Sequence, residues 1–156
     1  MKGGTSFNFY RLCLEDLPSR EEEELIFHLG GLMQLGNDIF DVWEDFGEGT
    51  QTMVTHSINI PELRETFKKD LDLTYKHAFR TPYPKKQILR FLKITTLAIA
   101  RVFVCLDQFE ALQRKSDYYF KIEDYRREQL ICDMQKPANQ LKAINYYLKN
   151  IPNFQL

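Results

Sequence analysis

The sequence predicts an all-α fold, a helical bundle of five or six helices. Three observations carry this. Gly and Pro number only 7 and 6 in 156 residues, so long uninterrupted helices can form. Apolar residues recur at helical spacing through most of the chain. Strand signals are weak: the one β-like run, 52–60, lies between a Gly-containing turn and Pro61 and is read as loop or helix edge. The length suits a single domain, 1–156, and no repeat, low-complexity tract or linker divides it.

The first helix is expected over 6–14, stopping before Pro18. Ser19 followed by Glu21–Glu24 is a capping pattern, with acids in the first turn where the helix dipole favours them. The helix it starts can run to about 46, where Gly47 and Gly49 end it. Pro61 opens the third helix at the position proline prefers. Leu63, Phe67, Leu71 and Tyr75 continue that helix until Pro82 and Pro84. The fourth, 85–116, is apolar almost all round and is therefore expected in the centre of the core. Two shorter helices are expected over 122–135 and 137–150, the second with Leu141, Ile144, Tyr147 and Leu148 on one side.

Lys plus Arg is 21 and Asp plus Glu 22, a formal charge of −1, which gives no bulk-charge reason to expect a nucleic-acid partner. Cys13, Cys105 and Cys132 are odd in number and lack a CxxC, so free core thiols are expected rather than disulfides or nucleophiles. No signal-peptide core precedes the first helix. The longest apolar stretch, 94–106, is broken by Arg101 and is too short to span a bilayer. A soluble, cytoplasmic protein without a transmembrane segment is expected.

The informative segment lies in the second helix. Residues 29–46 read LGGLMQLGNDIFDVWEDF, apolar on most sides. Yet Gln34, Asp38, Asp41 and Asp45 fall within an arc of ~60°, with Asn37 beside them. Acids on a largely buried helix call for compensation, and Mg²⁺, which takes oxygen ligands and bridges carboxylates to phosphates, is an economical answer. A solvated face of an amphipathic helix is the plainer one. Gly30, Gly31 and Gly36 each cost ~1 kcal/mol in a helix, so three in seven positions imply close approach of a helix or ligand.

Gln34-Leu35-Gly36-Asn37-Asp38-Ile39-Phe40-Asp41-Val42-Trp43-Glu44-Asp45 resembles the second aspartate-rich motif of the class I isoprenoid synthases. Gln34, Asn37, Asp38 and Asp41 are similar to the trans-prenyltransferase pattern QxxDDxxD, with Asn37 replacing the first Asp. Gln34, Leu35, Asn37, Asp41, Val42, Glu44 and Asp45 are similar to the squalene/phytoene synthase pattern QLxNxxxDVxED. Lys2-Gly3-Gly4 resembles the short lysine segment upstream of that motif. The resemblance implies the C-terminal half of the isoprenoid synthase fold. It implies Mg²⁺ held by Asp41 and Asp45 with Asp38 and Asn37 assisting. It also implies a prenyl diphosphate or pyrophosphate contacted by Lys2 and Gln34. The implied activity is ionisation of the prenyl diphosphate in isoprenoid biosynthesis, as a prenyltransferase or a terpene/squalene-type synthase.

The sequence departs from that family in lacking an upstream DDxxD; Asp70-Leu71-Asp72 has the wrong spacing. A missing N-terminal half, a degenerate relative, or a homo-oligomer completing the bundle would each account for this, and exposed apolar faces of half a bundle favour association. The alternative is a non-catalytic helical interaction module that retains the motif as a relic.

Other features have two readings each. Arg101, in the most apolar helix, suits a diphosphate, or pairs with Asp41 or Asp45, or snorkels to solvent. Lys85, Lys86, Arg90 and Lys93 could attract a diphosphate or a membrane surface, or form a solvated face. The C-terminal aromatics, Tyr118, Tyr119, Phe120, Tyr125, Tyr146 and Tyr147, could line an isoprenoid pocket or pack the core. His28, His56 and His77 have no zinc-ligand spacing.

Overall fold

The structure, a computed structural model, describes residues 2–14, 16–116 and 119–151, with the side chain of Lys2 left out. The described residues form seven α-helices and no strand: α1 Lys2–Leu12, α2 Arg20–Phe40, α3 Val42–Gly47, α4 Ile60–Ala78, α5 Lys85–Gln113, α6 Arg127–Leu130 and α7 Pro137–Asn150. The all-α expectation holds, with the expected second helix divided into α2 and α3 and the expected fifth reduced to α6.

The helix starts follow the sequence signals. Ser19 caps α2, its Oγ accepting from the Glu22 N–H at 3.2 Å. Asn59 caps α4 through the Glu62 N–H at 3.4 Å, and Pro61 sits in the first turn. Gln113 Oε1 accepts the Ile60 N–H at 2.8 Å, so the end of α5 satisfies one orphan donor of α4. Pro137 opens α7.

α1 begins earlier than expected because Gly3 and Gly4 belong to it. They lie against α2, where no side chain fits. A Cβ on Gly3 would stand 2.3 Å from the Gly30 carbonyl oxygen, and one on Gly30 would stand 2.5 Å from that of Gly3. A Cβ on Gly36 would come within 3.1 Å of Val102 Cγ2 on α5. Gly30 and Gly36 therefore mark close helix crossings, as expected of them.

The core gathers Leu32, Leu35 and Ile39 of α2, Leu63, Phe67 and Leu71 of α4, and Ile99 to Phe109 of α5. Phe67 and Phe103 meet edge-on at 5.4 Å, and Tyr146 of α7 stacks on Phe103 at 5.1 Å. Phe120 and Tyr125 also pack into this core. Tyr118 lies outside the described residues.

Two expectations need correction. α5 is not buried all round: its first half sends Ile88 and Leu92 into a second, smaller cluster with Leu25 and Ala78, while Phe91, Ile94 and Leu97 are exposed. Residues 122–135 are not one helix. A 3₁₀ turn, Ile122–Asp124, precedes α6, and Tyr125 and Ile131 are extended. This irregular path buries Ile122, Tyr125, Leu130 and Cys132.

Cys105 and Cys132 are the buried free thiols expected, whereas Cys13, just past the end of α1, is exposed and is not a core thiol. No helix among the described residues is long and apolar enough to cross a membrane.

Candidate functional site

The chain breaks its helix inside the acidic motif. Asp41 (φ −96°, ψ 13°) ends α2 and precedes α3. The backbone ladder nevertheless continues through it: the Asp41 N–H donates to the Asn37 carbonyl at 2.9 Å, and the Asp45 N–H to that of Asp41 at 2.8 Å. Leu32, Leu35, Ile39 and Val42 face the core. Gln34, Asn37 and Asp41 are exposed on the other side, and Asp38 and Asp45 are half-buried. The helix is thus more amphipathic than its apolar content suggested.

Gln34, Asn37, Asp38 and Asp45 line one open groove of about 630 Å³. Gly3, at the start of α1, lines the same groove because its crossing with Gly30 sets it against Gln34. Thr50 to Met53 form a further wall. That loop is tied to the motif by the Thr50 N–H, which donates to the Asp45 carbonyl at 2.8 Å. It is tied to itself by reciprocal Thr52 and Thr55 bonds, at 2.9 and 3.1 Å.

Asp70 of α4 also lines the groove. In the sequence Asp70 stands out only within Asp70-Leu71-Asp72, whose spacing is not that of a DDxxD motif. A signal was present: Leu63, Phe67, Asp70 and Thr74 share one helical stripe, and the other three are buried. An acid in that series faces the body of the protein.

The carboxylates of the groove carry unneutralised charge. Gln34 Nε2 donates to Asp38 at 2.7 Å, and Asn37 Nδ2 to Asp41 at 2.8 Å. Among the described residues, no cation forms an ion pair with Asp38, Asp41, Asp45 or Asp70. Burial, then repulsion from Asp38, Asp41, Glu48 and Glu44, pushes the Asp45 carboxyl above its ordinary range. Burial raises Asp70 as well, partly opposed by His28.

The other predicted residues are distributed around this groove. Asp41 does not line it; the exposed carboxylate stands at the helix break. Arg101 is exposed on α5 and pairs with no acid among the described residues, so the expected pairing with Asp41 or Asp45 is absent. It shares with Asn37 a separate cleft of about 120 Å³ between α2 and α5. The side chain of Lys2 lies outside the described residues, though its neighbour Gly3 is at the rim.

Mg²⁺ wants oxygen donors and commonly takes only one or two carboxylates, filling its remaining positions with waters and substrate phosphates. The groove offers Asp38, Asp45 and Asp70 carboxylates and the Gln34 and Asn37 amides, none of the three acids pairing with a described cation. Among the described residues no three His, Cys, Asp or Glu side chains converge on one point as a complete metal cage would require. The described residues therefore form no metal centre on their own. Comparisons with protein-family models, curated proteins and solved structures find no match to this chain.

Proposed function

We propose that the chain binds a prenyl diphosphate with Mg²⁺ and promotes its ionisation, as a prenyltransferase or terpene/squalene-type synthase. The carrying observation is the unneutralised acidic groove: Asp38 and Asp45 on one side and Asp70 of α4 on another, with no described cation pairing with them. A site that meets a magnesium-bound anion keeps its carboxylates unpaired until then.

In this reading Asp38, Asp45 and Asp70 hold the metal, and Asp41 joins them from the break between α2 and α3. Bound Mg²⁺ would supply charge neutralisation of the leaving diphosphate. Gln34 and Asn37 orient the acids through the hydrogen bonds they already donate. Lys2 contacts the diphosphate from the start of α1. The protein works in the cytoplasm, where its three thiols stay reduced. A second copy, or a preceding half of the bundle, covers the exposed Phe9, Tyr10, Leu12 and Leu14 of the N-terminal segment.

A non-catalytic helical module is the second reading. The lack of a converged donor set among the described residues favours it.

Thermal melts with Mg²⁺ plus pyrophosphate separate the two. A ligand at ~100 times its Kd adds ~2.7 kcal/mol of stability. The first reading expects that rise, and expects Asp41→Asn, Asp45→Asn to abolish it. Identical melts at millimolar ligand would sink it in favour of the module.

A further inference from the structure

The α5–α7 face has the opposite chemistry. α5 carries no acidic residue from Lys85 to Leu106, and α7 carries none at all. On α5, Lys86, Arg90, Lys93, Ile94, Leu97 and Arg101 fall within an arc of ~100°, and all six are exposed. None of the four bases makes an ion pair with a described residue.

α7 extends this surface. Ile144 shares a groove with Ile94, Leu97 and Arg101. Leu141 and Leu148 lie on the same stripe of α7 as Ile144. Ile94, Leu97, Leu141, Ile144 and Leu148 are each more than half exposed. Lys142 and Lys149 are exposed on the flank of that stripe. Asp133, in the segment leading into α7, is turned to its own chain and accepts the Gln135 N–H at 2.9 Å.

We infer that the α5–α7 face docks on an anionic lipid surface, with its aliphatic side chains entering the headgroup boundary and its bases meeting lipid charge. Charge complementarity selects this occupant. A second copy in a two-fold contact would set like charges against each other. A nucleic-acid backbone would bring phosphates onto five aliphatic side chains and bury them for no gain. A bilayer satisfies both components, because long basic side chains can lie flat while apolar ones insert. The net charge of −1 makes the segregation matter: the bases that gather here leave the α2–α3 side acidic.

The test is flotation of the full chain with vesicles. Vesicles of phosphatidylcholine with about 30 % phosphatidylserine should carry the protein upward, and phosphatidylcholine alone should not. Raising salt from ~50 to ~500 mM should release it. Each base near an anionic surface contributes about five-fold in affinity (~1 kcal/mol), so Arg90→Glu with Lys93→Glu should weaken binding at least ~25-fold. Leu97→Ser with Ile144→Ser should weaken it at low salt as well; these sites are exposed, and unchanged melts would verify the fold. The inference fails if phosphatidylserine vesicles leave the protein behind at low salt, or if both variants float like the natural chain. It fails too if the face proves to hold a second copy, seen as a dimer that the Leu97→Ser, Ile144→Ser variant dissociates.

Discussion

Two acidic regions of this molecule are built in opposite ways. Between α4, α5 and α7, Asp107 and Glu110 meet Arg64: its Nη2 donates to Asp107 at 2.9 Å and its Nε to Glu110 at 2.5 Å. The Tyr146 hydroxyl completes the set, donating to Asp107 at 2.6 Å. In the α1–α2–α4 groove, Asp38, Asp45 and Asp70 have no such partner among the described residues. The first arrangement is a joint, which orders three helices and leaves little charge to offer. The second leaves its charge open, at a standing cost in repulsion, and that openness is what the proposed function rests on.

Removing the cation of the joint should have the largest effect. Arg64→Ala leaves two half-buried carboxylates facing each other and should cost ~3 kcal/mol, read as a lower urea midpoint at unchanged slope. Gly30→Ala attacks the groove through its scaffold. The added methyl meets the Gly3 carbonyl at 2.5 Å, so α1 must move, at ~2 kcal/mol. The same variant should bind Mg²⁺ and pyrophosphate less well, whereas Arg64→Ala at a permissive temperature should not.

Tyr146→Phe deletes one hydrogen bond to a charged acceptor and should cost ~1.5 kcal/mol. If it costs nothing, Arg64 alone carries the joint. Asp45→Asn is the smallest change and has the opposite sign. It relieves repulsion from Asp38 and Asp41 and should stabilise the metal-free protein by a few tenths of a kcal/mol.

The pH dependence follows the same division. Raised carboxyls at Asp45 and Asp70 mean that the folded chain holds protons the unfolded chain has lost. Between the ordinary carboxyl range and the raised folded values, stability therefore increases as pH falls. Glu22 runs the other way. Its burial is outweighed by hydrogen bonds from Arg11 at 2.6 Å and Tyr83 at 2.8 Å, so its carboxyl is lowered. Its contribution is present above the ordinary carboxyl range and disappears as pH falls through the lowered value. Melts across this range should show Asp45→Asn flattening the first trend and leaving the second intact.

Local chemistry made much of this legible. Ser19, Pro61 and Pro137 announce three helix starts, and each does so through its own side chain or ring. The acidic stripe was visible as a spacing, as were the glycine crossings. Asp70 was not found, because its meaning depends on which face of α4 meets α2. The Arg64 joint spans 43 residues to Asp107, and nothing in either neighbourhood points to the other. The irregular path after α5 escaped for a similar reason. Ile122, Tyr125 and Leu130 stand at spacings that a helix would also show, so the local pattern does not report the break.

The Gly3–Gly30 crossing has a consequence for how α1 tolerates change. Its register on α2 is fixed by backbone atoms, with no side chain available to adjust, so the two ends of one short helix should carry opposite mutational spectra. A saturation scan would find Gly3 and Gly4 closed to nearly every substitution. Phe9, Tyr10 and Leu12, two turns further on, would accept other apolar side chains without displacing the rim of the groove.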